Sequence, residues 1–416
     1  MKIFMSHPTG NSNVRAIIEA LNKADSLEEF NTTIAVNPRA PWLKLLPNEM
    51  SKQLLRRTFP IKSKQLIIHP SLELARLISL KAGFFKLIKD ENSWASLDSV
   101  YKSFDKAVAN RLQKVAKKKQ ITAVYGYEDG ALNTFKKAKE LGLKCIYDLP
   151  IAYWETARKL MLEEAARLPA WAHTLAGGIT DSEEKLERKK QELELADIII
   201  GPGEFVKQSL PEWAKTKPVI MTPFGSPDRE KGLPRNIYSR KNNAKLRVLF
   251  AGSLSQRKGL GDLFAAMKLL KRSDIELVVM GSPIGPMDFY RQQLPDFTYM
   301  PNRPHSEVLA LMRSCDVFCL PSIVEGRALV MQEAMSQGLP LIITRNTGGT
   351  DLIKEGYTGF LVPIRSPEGI AAKLNWFLEN RSIIPAMGRM AQRYAAEYTW
   401  EGYGANVVSG LSDFFN

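Results

Sequence analysis

A chain of 416 residues is too long for one ordinary domain, so its length favours two or three domains. It is 44% hydrophobic and 25% charged, which is typical of globular domains with substantial cores. No apolar run reaches the roughly 18 residues that span a bilayer, which excludes the membrane-spanning class. The N-terminal sequence turns polar after a short apolar run, so we expect a β-strand there rather than a secretory signal, and a cytoplasmic protein.

The net charge of +14 is concentrated in the first part of the chain. Residues 1–120 contain 21 Lys and Arg against 10 Asp and Glu, an excess of +11. A localised basic surface fits acidic membrane lipid, nucleic acid or a phosphorylated acceptor, or it serves solubility alone. Residues 51–89 mix Leu, Ile and Phe with Lys and Arg, as in a basic amphipathic element on the inner face of a membrane. Two helices packed on a sheet give the same pattern, and Pro60 and Pro70 exclude one continuous helix.

Three cysteines, Cys145, Cys315 and Cys319, lie in apolar, strand-like sequence. Because they form no even set and follow no export signal, they are predicted to be buried thiols in a reducing compartment. A metal site built on Cys315 and Cys319 would need two more ligands nearby, and none is evident in the sequence. We therefore expect no metal site at these cysteines.

Short β-rich runs alternate with helical patterns, such as residues 130–141 and 260–271, along nearly the whole chain. This alternation predicts α/β domains, each with a parallel sheet and crossover helices. The predicted strands are Lys2–Ser6, Thr33–Val36, Gln65–Ile68, Ala123–Tyr127, Cys145–Leu149 and Asp197–Gly201, followed by Arg247–Gly252, Glu276–Gly281, Phe297–Met300, Val317–Pro321, Leu341–Thr344 and Gly359–Val362.

Closely spaced prolines interrupt this alternation in the middle of the chain and predict a boundary between two domains. We predict a Rossmann-like domain over residues 1–215, a linker over 216–244 with one embedded strand, and a second Rossmann-like domain over 245–393. Residues 394–416 are predicted to form a helical segment that packs back on the first domain. Such sheets bind ligands at the carboxyl ends of their strands, so we expect a cleft between the two domains.

The first candidate site is the sequence PSIVEGRALVMQEAMSQG at residues 321–338, where a strand ends and a helix follows. Backbone amides at a helix N-terminus favour a bound diphosphate, and Gly326 allows close approach. Glu325 in the turn is suited to accept hydrogen bonds from sugar hydroxyls, and Glu333, two turns along the helix, to reach a ribose. The alternative is a capping acid and a surface acid, but Glu333 lies among apolar residues, where an unpaired carboxylate is costly.

The second candidate site is the sequence LFAGSLSQRKGLGDLFAA at residues 249–266. A strand runs into Gly252 and Ser253, and Arg257 and Lys258 precede the next helix. Adjacent cations at the carboxyl end of a strand neutralise two phosphates and stabilise a diphosphate leaving group. The spacing of a Walker loop is absent, and a solvated basic pair remains the alternative.

Together these two sequences resemble the retaining glycosyltransferases of family 4 (glycosyl transferases group 1). The resemblance covers mainly residues 246–364 and includes QGLPLIIT, a double glycine and GYTGFLVP in the family's order. It implies the GT-B fold, in which two Rossmann-like domains face each other across a cleft. It also implies transfer of a sugar from a nucleotide diphosphate donor on the second domain to a glycan, lipid-linked or small-molecule acceptor on the first. No Asp-x-Asp metal site is evident in a suitable loop, so we expect no metal and no other cofactor. No nucleic acid is expected, because the basic excess lies outside this region.

The resemblance assigns roles to individual residues. Arg257 and Lys258 would grip the diphosphate, Glu325 would contact the transferred sugar, and Glu333 would bind the ribose. Asp148, at the end of a predicted strand, would contact the transferred sugar from the first domain, and a cap on the next helix is the equal alternative. The implied catalytic residues are Glu325, Lys258, Arg257 and Asp148. The implied donor-binding residues are Gly10, Gly252, Ser253, Arg257, Lys258, Gly281, Asn302, Arg303, Glu325, Gly326, Arg327, Ala328, Leu329 and Glu333.

Two positions depart from the commoner family pattern. Arg327 follows Glu-Gly where a small or aromatic residue is usual, and its guanidinium either enters the sugar pocket or points away. Asp351 stands after the double glycine where Glu is more frequent. Both positions bear on donor preference, so no donor sugar is inferred. A nucleotide-sugar epimerase, a sugar phosphorylase and a catalytically silent binding subunit of the same fold remain alternative functions.

Overall fold

The computed structural model describes residues 1–41, 43, 51, 54–175, 177–227 and 245–416. Its strands form two sheets, as the alternating sequence pattern predicts. The strands of the first sheet are β1 (Ile3–Ser6), β2 (Leu27–Thr32), β3 (Leu66–Ile68), β4 (Ala123–Tyr127), β5 (Lys144–Asp148), β6 (Ile198–Gly201) and β7 (Val219–Met221). The strands of the second sheet are β8 (Leu246–Ala251), β9 (Ile275–Met280), β10 (Thr298–Met300), β11 (Val317–Leu320), β12 (Leu341–Thr344) and β13 (Gly359–Val362).

Helices cover the faces of both sheets. In chain order they are α1 (Ser12–Lys23), α2 (Ser71–Lys81), α3 (Leu97–Val115), α4 (Leu132–Glu140), α5 (Trp154–Arg167), α6 (Glu183–Leu195), α7 (Glu204–Gln208), α8 (Leu260–Leu270), α9 (Met287–Gln293), α10 (His305–Arg313), α11 (Leu329–Ser336), α12 (Pro367–Glu379), α13 (Ile384–Ala395) and α14 (Trp400–Phe415).

Both sheets are parallel, with the orders β3-β2-β1-β4-β5-β6-β7 and β10-β9-β8-β11-β12-β13. Their central strands, including β4, β6, β11 and β12, are rich in β-branched and aromatic residues and are buried along their whole length. This is the pattern of strands covered by helices on both faces. The strand order reverses between β1 and β4 in one sheet and between β8 and β11 in the other, and ligands bind at such reversals.

The predicted strand at Thr33–Val36 is wrong, because β2 lies earlier, at Leu27–Thr32. The acidic residues near the start of β2 make its sequence look polar, so the hydrophobic pattern does not indicate a strand there. Glu29 is fully buried there, and its two carboxylate oxygens meet Arg111 Nε and Lys119 Nζ, each at 2.9 Å. A buried carboxylate is tolerated when it is paired in this way, and both partners come from far along the chain.

The predicted domain boundary at residue 215 also needs correction. The strand predicted inside the linker is β7, which pairs with β6 and forms an edge of the first sheet. The first domain therefore extends at least to Met221, and residues 228–244 of the predicted linker lie outside the described residues.

Helix α14, which lies within residues 394–416, contacts α1 of the first domain. Gly404 approaches α1 so closely that an added Cβ would lie 2.7 Å from the carbonyl oxygen of Ala16. Glu401 and Lys23 form an ion pair at 2.6 Å across the same contact. In the described part of the chain, the first sheet ends at Met221 and the second begins at Leu246, and the chain returns to the first domain near residues 396–399. Within the described ranges, none of the helices is both long and apolar enough to cross a membrane.

Candidate functional site

A cleft of about 630 Å³ lies between the carboxyl ends of the two sheets, at the strand reversal of each. The second domain lines it with the loops that follow β8, β9 and β11 and with the start of α11, while Asn11, Asn13 and Pro150 come from the first domain. The two candidate sequences therefore meet in space. The predicted donor-binding residues that line the cleft are Gly252, Ser253, Arg257, Lys258, Gly281, Asn302, Glu325, Arg327, Ala328, Leu329 and Glu333.

The loop between β8 and α8 is held against the end of β11. Gly259 has a left-handed conformation (φ 74°), and an added Cβ would lie 2.0 Å from the carbonyl oxygen of Pro321, so no larger residue fits. Hydrogen bonds join the two loops: the Ile323 N–H donates to the carbonyl of Arg257 at 2.9 Å, and Arg257 Nη1 donates to the carbonyl of Val324 at 3.1 Å. The basic pair and the turn that carries Glu325 consequently form one unit.

The carboxylate of Glu325 lies between the two cations of that loop. Arg257 Nη1 donates to Glu325 Oε1 at 2.6 Å, and Lys258 Nζ contacts the same oxygen. Lys258 is largely buried, and this burial lowers the pKa of its ammonium while Glu325 opposes the shift. Two adjacent cations repel each other, so the shared carboxylate fixes their positions and leaves a net charge of about +1 for the three groups. Such a group is suited to bind an anion.

Glu333 lies in the same cleft, on α11. Its side chain is 23% exposed, and burial raises the pKa of its carboxyl group. His305 Nε2 lies 4.0 Å from Glu333 Oε1 and opposes this shift, which gives His305 a neighbour that the sequence did not reveal. A carboxyl group in this position accepts hydrogen bonds from hydroxyls on a ligand that extends away from the basic pair.

One of the amides near the start of α11 is already engaged within the protein. The helix begins at Leu329, and the Ala328 N–H donates to the carbonyl of Thr347 at 3.2 Å, so it is not available to a ligand. The first amides of the helix are those of Leu329 and Val330, and both residues line the cleft. The positive end of the helix dipole is therefore directed at the cleft from these two residues.

Gly326 is not among the residues that line the cleft. It lies instead where the two domains touch: an added Cβ would be 1.8 Å from the carbonyl oxygen of Pro150. Beside it, the Ala152 N–H donates to the carbonyl of Glu325 at 3.3 Å. The absence of a side chain at Gly326 thus allows the turn that carries Glu325 to contact the first domain directly.

The guanidinium of Arg327 points away from the cleft, which decides between the two orientations considered from the sequence. Its side chain is fully buried and donates to both carboxylate oxygens of Asp351, at 2.7 and 3.0 Å. It also donates to Gln332 and lies over the ring of Tyr398 at 5.0 Å. Arg327 and Asp351, the two departures from the family pattern, are therefore one ion pair next to the crossing between the domains.

Gly10 and Arg303, two of the implied donor-binding residues, are not among the residues that line the cleft. The Gly10 N–H donates to His7 Nδ1 at 2.6 Å, and the residue packs against Phe59. Arg303 is exposed beside Met300, whose sulfur lies 3.1 Å from the guanidinium. On the first-domain side, Asn11 and Asn13 take the place predicted for Gly10.

Asp148 was predicted to face the cleft or to cap the next helix, and it does neither. Its carboxyl group is 1% exposed and accepts a hydrogen bond from the Tyr125 hydroxyl at 2.6 Å. Burial raises its pKa to about 7. The following helix, α5, begins only after Tyr153. The residue therefore belongs to the interior of the first domain beneath the cleft.

Gln256, next to the basic pair, is a positioning residue that the sequence reading missed. Its side chain is fully buried and donates to Glu164 at 2.7 Å and to Asp262 at 2.8 Å. The side-chain oxygen Oε1 of Gln256 accepts a hydrogen bond from the Gly261 N–H at 2.9 Å. Because Glu164 belongs to α5, these bonds tie the loop of Arg257 to the first domain. Nothing in the local sequence indicates that an uncharged residue beside Arg-Lys holds this loop against the first domain.

The cysteines are buried thiols, as predicted. Among the residues that the structure describes, no three His, Cys, Asp or Glu side chains are grouped so that they could hold a metal ion.

Comparison with known proteins shows a sequence family that the second domain resembles. Residues 236–397 match the family described as Glycosyl transferases group 1. A D-inositol 3-phosphate glycosyltransferase of Corynebacterium glutamicum is 31% identical over 179 residues, which is 40% of this chain and 43% of that protein. A putative colanic acid biosynthesis glycosyltransferase, WcaL, of Salmonella typhimurium is 28% identical over 181 residues, which is 40% of this chain and 45% of that protein. The chain thus spans less than half the length of these curated relatives.

Solved structures resemble the whole chain. A sucrose-phosphate synthase from Thermosynechococcus elongatus has a TM-score of 0.63 at 16% identity, covering 100% of this chain and 99% of its own. HepE of Anabaena, in a complex with UDP-glucose, has a TM-score of 0.60 at 15% identity, covering 99% of this chain and 100% of its own. At such low identity the likeness establishes the fold, which is GT-B, as predicted.

Proposed function

We propose that this chain is a glycosyltransferase that takes a sugar from a nucleotide diphosphate donor and transfers it with retention at the anomeric carbon. The observation that carries the proposal is the convergence of Arg257, Lys258, Glu325 and Glu333 on one cleft at the strand reversal of the second sheet. The match to Glycosyl transferases group 1 and the names of the relatives support the reaction class. HepE with UDP-glucose supports a nucleotide-sugar donor.

In this proposal the diphosphate binds beside Arg257 and Lys258. The amides of Leu329 and Val330 add hydrogen-bond donors at the positive end of α11. As the bond to the sugar breaks, negative charge grows on the departing diphosphate, and cations that are already in place stabilise it without reorganisation. Glu325 keeps the two cations together and lies next to the sugar, while Glu333 accepts hydrogen bonds from the ribose.

The acceptor enters from the first domain, on the side of Asn11 and Asn13. The direct contact between the Glu325 turn and residues 150–152 supports a mechanism in which the domains close over the activated donor and exclude water. We further propose that transfer needs no metal ion, because Arg257 and Lys258 supply the positive charge at the diphosphate. Activity retained after exhaustive chelation is the expected result, and activity restored only by an added divalent cation would refute this part.

The test is a panel of nucleotide sugars, with release of the nucleotide diphosphate followed by chromatography and mass spectrometry. Lys258→Ala and Glu333→Ala should each lower transfer at least about a hundredfold, the scale expected when a preorganised charged contact is lost. Lys268→Ala and Glu379→Ala are matched controls on exposed positions of α8 and α12 and should keep the parental rate. Full activity in either cleft variant would overturn the proposal.

Two further readouts separate this function from its alternatives. Proton NMR of the product from an α-linked donor gives an α-linkage if the configuration is retained, and a β-linkage would contradict retention. Incubation of the donor without an acceptor should leave the sugar unchanged, whereas an epimerase would convert it. A catalytically silent subunit would release no nucleotide diphosphate with any donor.

A further inference from the structure

Helix α2 has its polar and apolar residues reversed relative to an ordinary surface helix. Glu73 and Ser79 are its buried residues, whereas Leu74, Ile78 and Leu80 are 45%, 64% and 48% exposed. Glu73 is held inside by Arg57 and Arg76, at 2.8 Å each. A helix that packs its apolar side on a core shows the opposite arrangement. The apolar side of α2 is therefore turned outward.

The exposed apolar surface continues past the end of the helix. Every residue from Leu80 to Leu87 is exposed, including the adjacent rings of Phe84 and Phe85. An apolar groove of about 390 Å³ runs along α2, lined in part by Leu54, Leu74 and Ile78. Scattered exposed apolar residues are ordinary, but a continuous run of them marks an interaction surface.

This surface is also basic. Lys81, Lys86 and Lys89 are interleaved with the apolar residues and are exposed. Within residues 71–89 the one acidic residue is Glu73, which is buried, and the exposed Asp90 follows directly. Exposed rings together with three exposed lysines against one exposed carboxylate complement an anionic lipid surface. We call the surface formed by Leu74, Ile78, Leu80, Phe84, Phe85, Lys86 and Lys89 the α2 face.

We propose that the α2 face docks on an anionic lipid bilayer, with Phe84 and Phe85 inserted among the headgroups. A bilayer accepts rings and lysines without a matching shape, whereas a symmetric contact between two copies of this face would bring like charges together. It follows, if the proposed function holds, that the acceptor is a lipid-linked molecule presented from the membrane.

The position of the α2 face supports that consequence. Helix α2 starts just after β3, at the edge of the first sheet where the strands end and the cleft opens. Arg57 connects α2 to the segment beside the cleft, because it pairs with Glu73 on α2 and also donates to the carbonyl of Pro8 at 3.5 Å. Pro8 lies three residues before Asn11, which lines the cleft. A headgroup at the membrane surface therefore lies on the acceptor side of the cleft.

The test is co-sedimentation of the full chain with vesicles of phosphatidylcholine alone or with about 30% phosphatidylglycerol, an amount that gives a negative surface potential. The chain should bind the anionic vesicles, and added salt should weaken the binding. Phe84→Ser/Phe85→Ser and Lys86→Glu/Lys89→Glu should each weaken it at least about tenfold, since each lost ring or lysine removes a separate contribution. Leu269→Ser and Lys117→Glu/Lys118→Glu change equally exposed residues elsewhere and should bind as the parent does.

The outcomes separate this proposal from the proposed function. The docking proposal would be overturned if the chain did not bind anionic vesicles, or if the control variants lost as much vesicle binding as the α2-face variants. It would also be overturned if the chain formed a dimer that Phe84→Ser/Phe85→Ser abolished and did not bind vesicles. Stabilisation by nucleotide diphosphates, measured by thermal shift in the same variants, should not change. Vesicle binding without any nucleotide stabilisation would leave the docking surface standing and refute the proposed function together with the lipid-linked acceptor.

Discussion

Replacing Glu325 by glutamine tests the arrangement of charges in the cleft. The carboxylate is 8% exposed and shares one oxygen between Arg257 and Lys258. Glutamine keeps the shape of the side chain but removes its charge. The net charge of the three groups then rises from about +1 to about +2. The free protein should become less stable, while its affinity for a nucleoside diphosphate should increase.

The magnitude follows from the geometry. At 2.6 Å and an effective dielectric constant of about 20, the Arg257–Glu325 pair is worth roughly 6 kcal/mol before desolvation is counted. Desolvation offsets much of this, so removing one partner of a largely buried cluster should cost about 3 kcal/mol. For a domain of this size that corresponds to a fall in Tm of roughly 6–12 °C. A gain of about tenfold in affinity for the diphosphate corresponds to about 1.4 kcal/mol.

Calorimetric titration with nucleoside diphosphates measures the affinity, and thermal unfolding measures the stability. Turnover with the intact donor should fall about a hundredfold, because the cations lose the group that positions them. Glu379→Gln, an exposed helical acid, serves as the control and should change none of the three quantities. The reasoning is refuted if Glu325→Gln loses affinity for the diphosphate, which is the result expected of Lys258→Met.

Three further predictions concern residues around the cleft. Asp148→Asn should flatten the pH dependence of the free energy of unfolding. Burial raises the pKa of this carboxyl group from its ordinary value of 3.8 to about 7 in the folded protein, so on the order of 4 kcal/mol of stability that is present at low pH is lost as the pH rises to 7. Urea unfolding at several pH values measures this, and an unchanged slope would contradict it. Arg327→Met and Asp351→Ala should couple by about 1–3 kcal/mol in a double-mutant cycle of denaturant unfolding, because the guanidinium is fully buried on that carboxylate, and additive effects would count against the pair. Gly326→Ala should force the domains apart, since the new Cβ would lie 1.8 Å from the Pro150 carbonyl oxygen; a larger radius of gyration in solution scattering and slower transfer are expected, and parental values of both would be inconsistent with the close contact.

The parts of the site that the sequence predicted are those in which local spacing determines position. Arg257 and Lys258 follow β8 by a fixed short loop, and Glu325 and Glu333 flank the start of α11, so the strand reversal brings them together. The buried strands were predicted for a similar reason, because runs of β-branched and apolar residues between helices have few other ways to be covered.

The parts that the sequence did not predict depend on partners far along the chain. Arg327 and Asp351 are 24 residues apart, and neither position alone shows that the guanidinium turns away from the cleft. The carboxylate of Glu29 is placed inside a strand by Arg111 and Lys119, which no local pattern connects to it. The Ala328 amide is taken by a carbonyl of a loop that follows another strand. Contacts between residues far apart in the chain therefore determine these positions, and the local sequence pattern does not show them.

The sequence left two interpretations of residues 51–89 open. A basic, apolar segment with two prolines fits either packed helices or a surface anchor. Two features of α2 are the basis for proposing the anchor: Glu73 is inside, and Leu74 and Ile78 are outside. Periodicity alone did not reveal this reversal, because ion pairs with Arg57 and Arg76 are what make the buried glutamate stable.

The most direct test of the central claim, a diphosphate held by Arg257 and Lys258 in the cleft, compares nucleoside diphosphates with nucleoside monophosphates by calorimetric titration. The parent should prefer the diphosphate by about a hundredfold or more, as expected when a second phosphate meets a second charged contact. Lys258→Met should abolish most of that preference, whereas Glu333→Gln should lower the affinity for both ligands by the same factor. Equal affinity of the parent for the two ligands, or an undiminished preference in Lys258→Met, would contradict the claim.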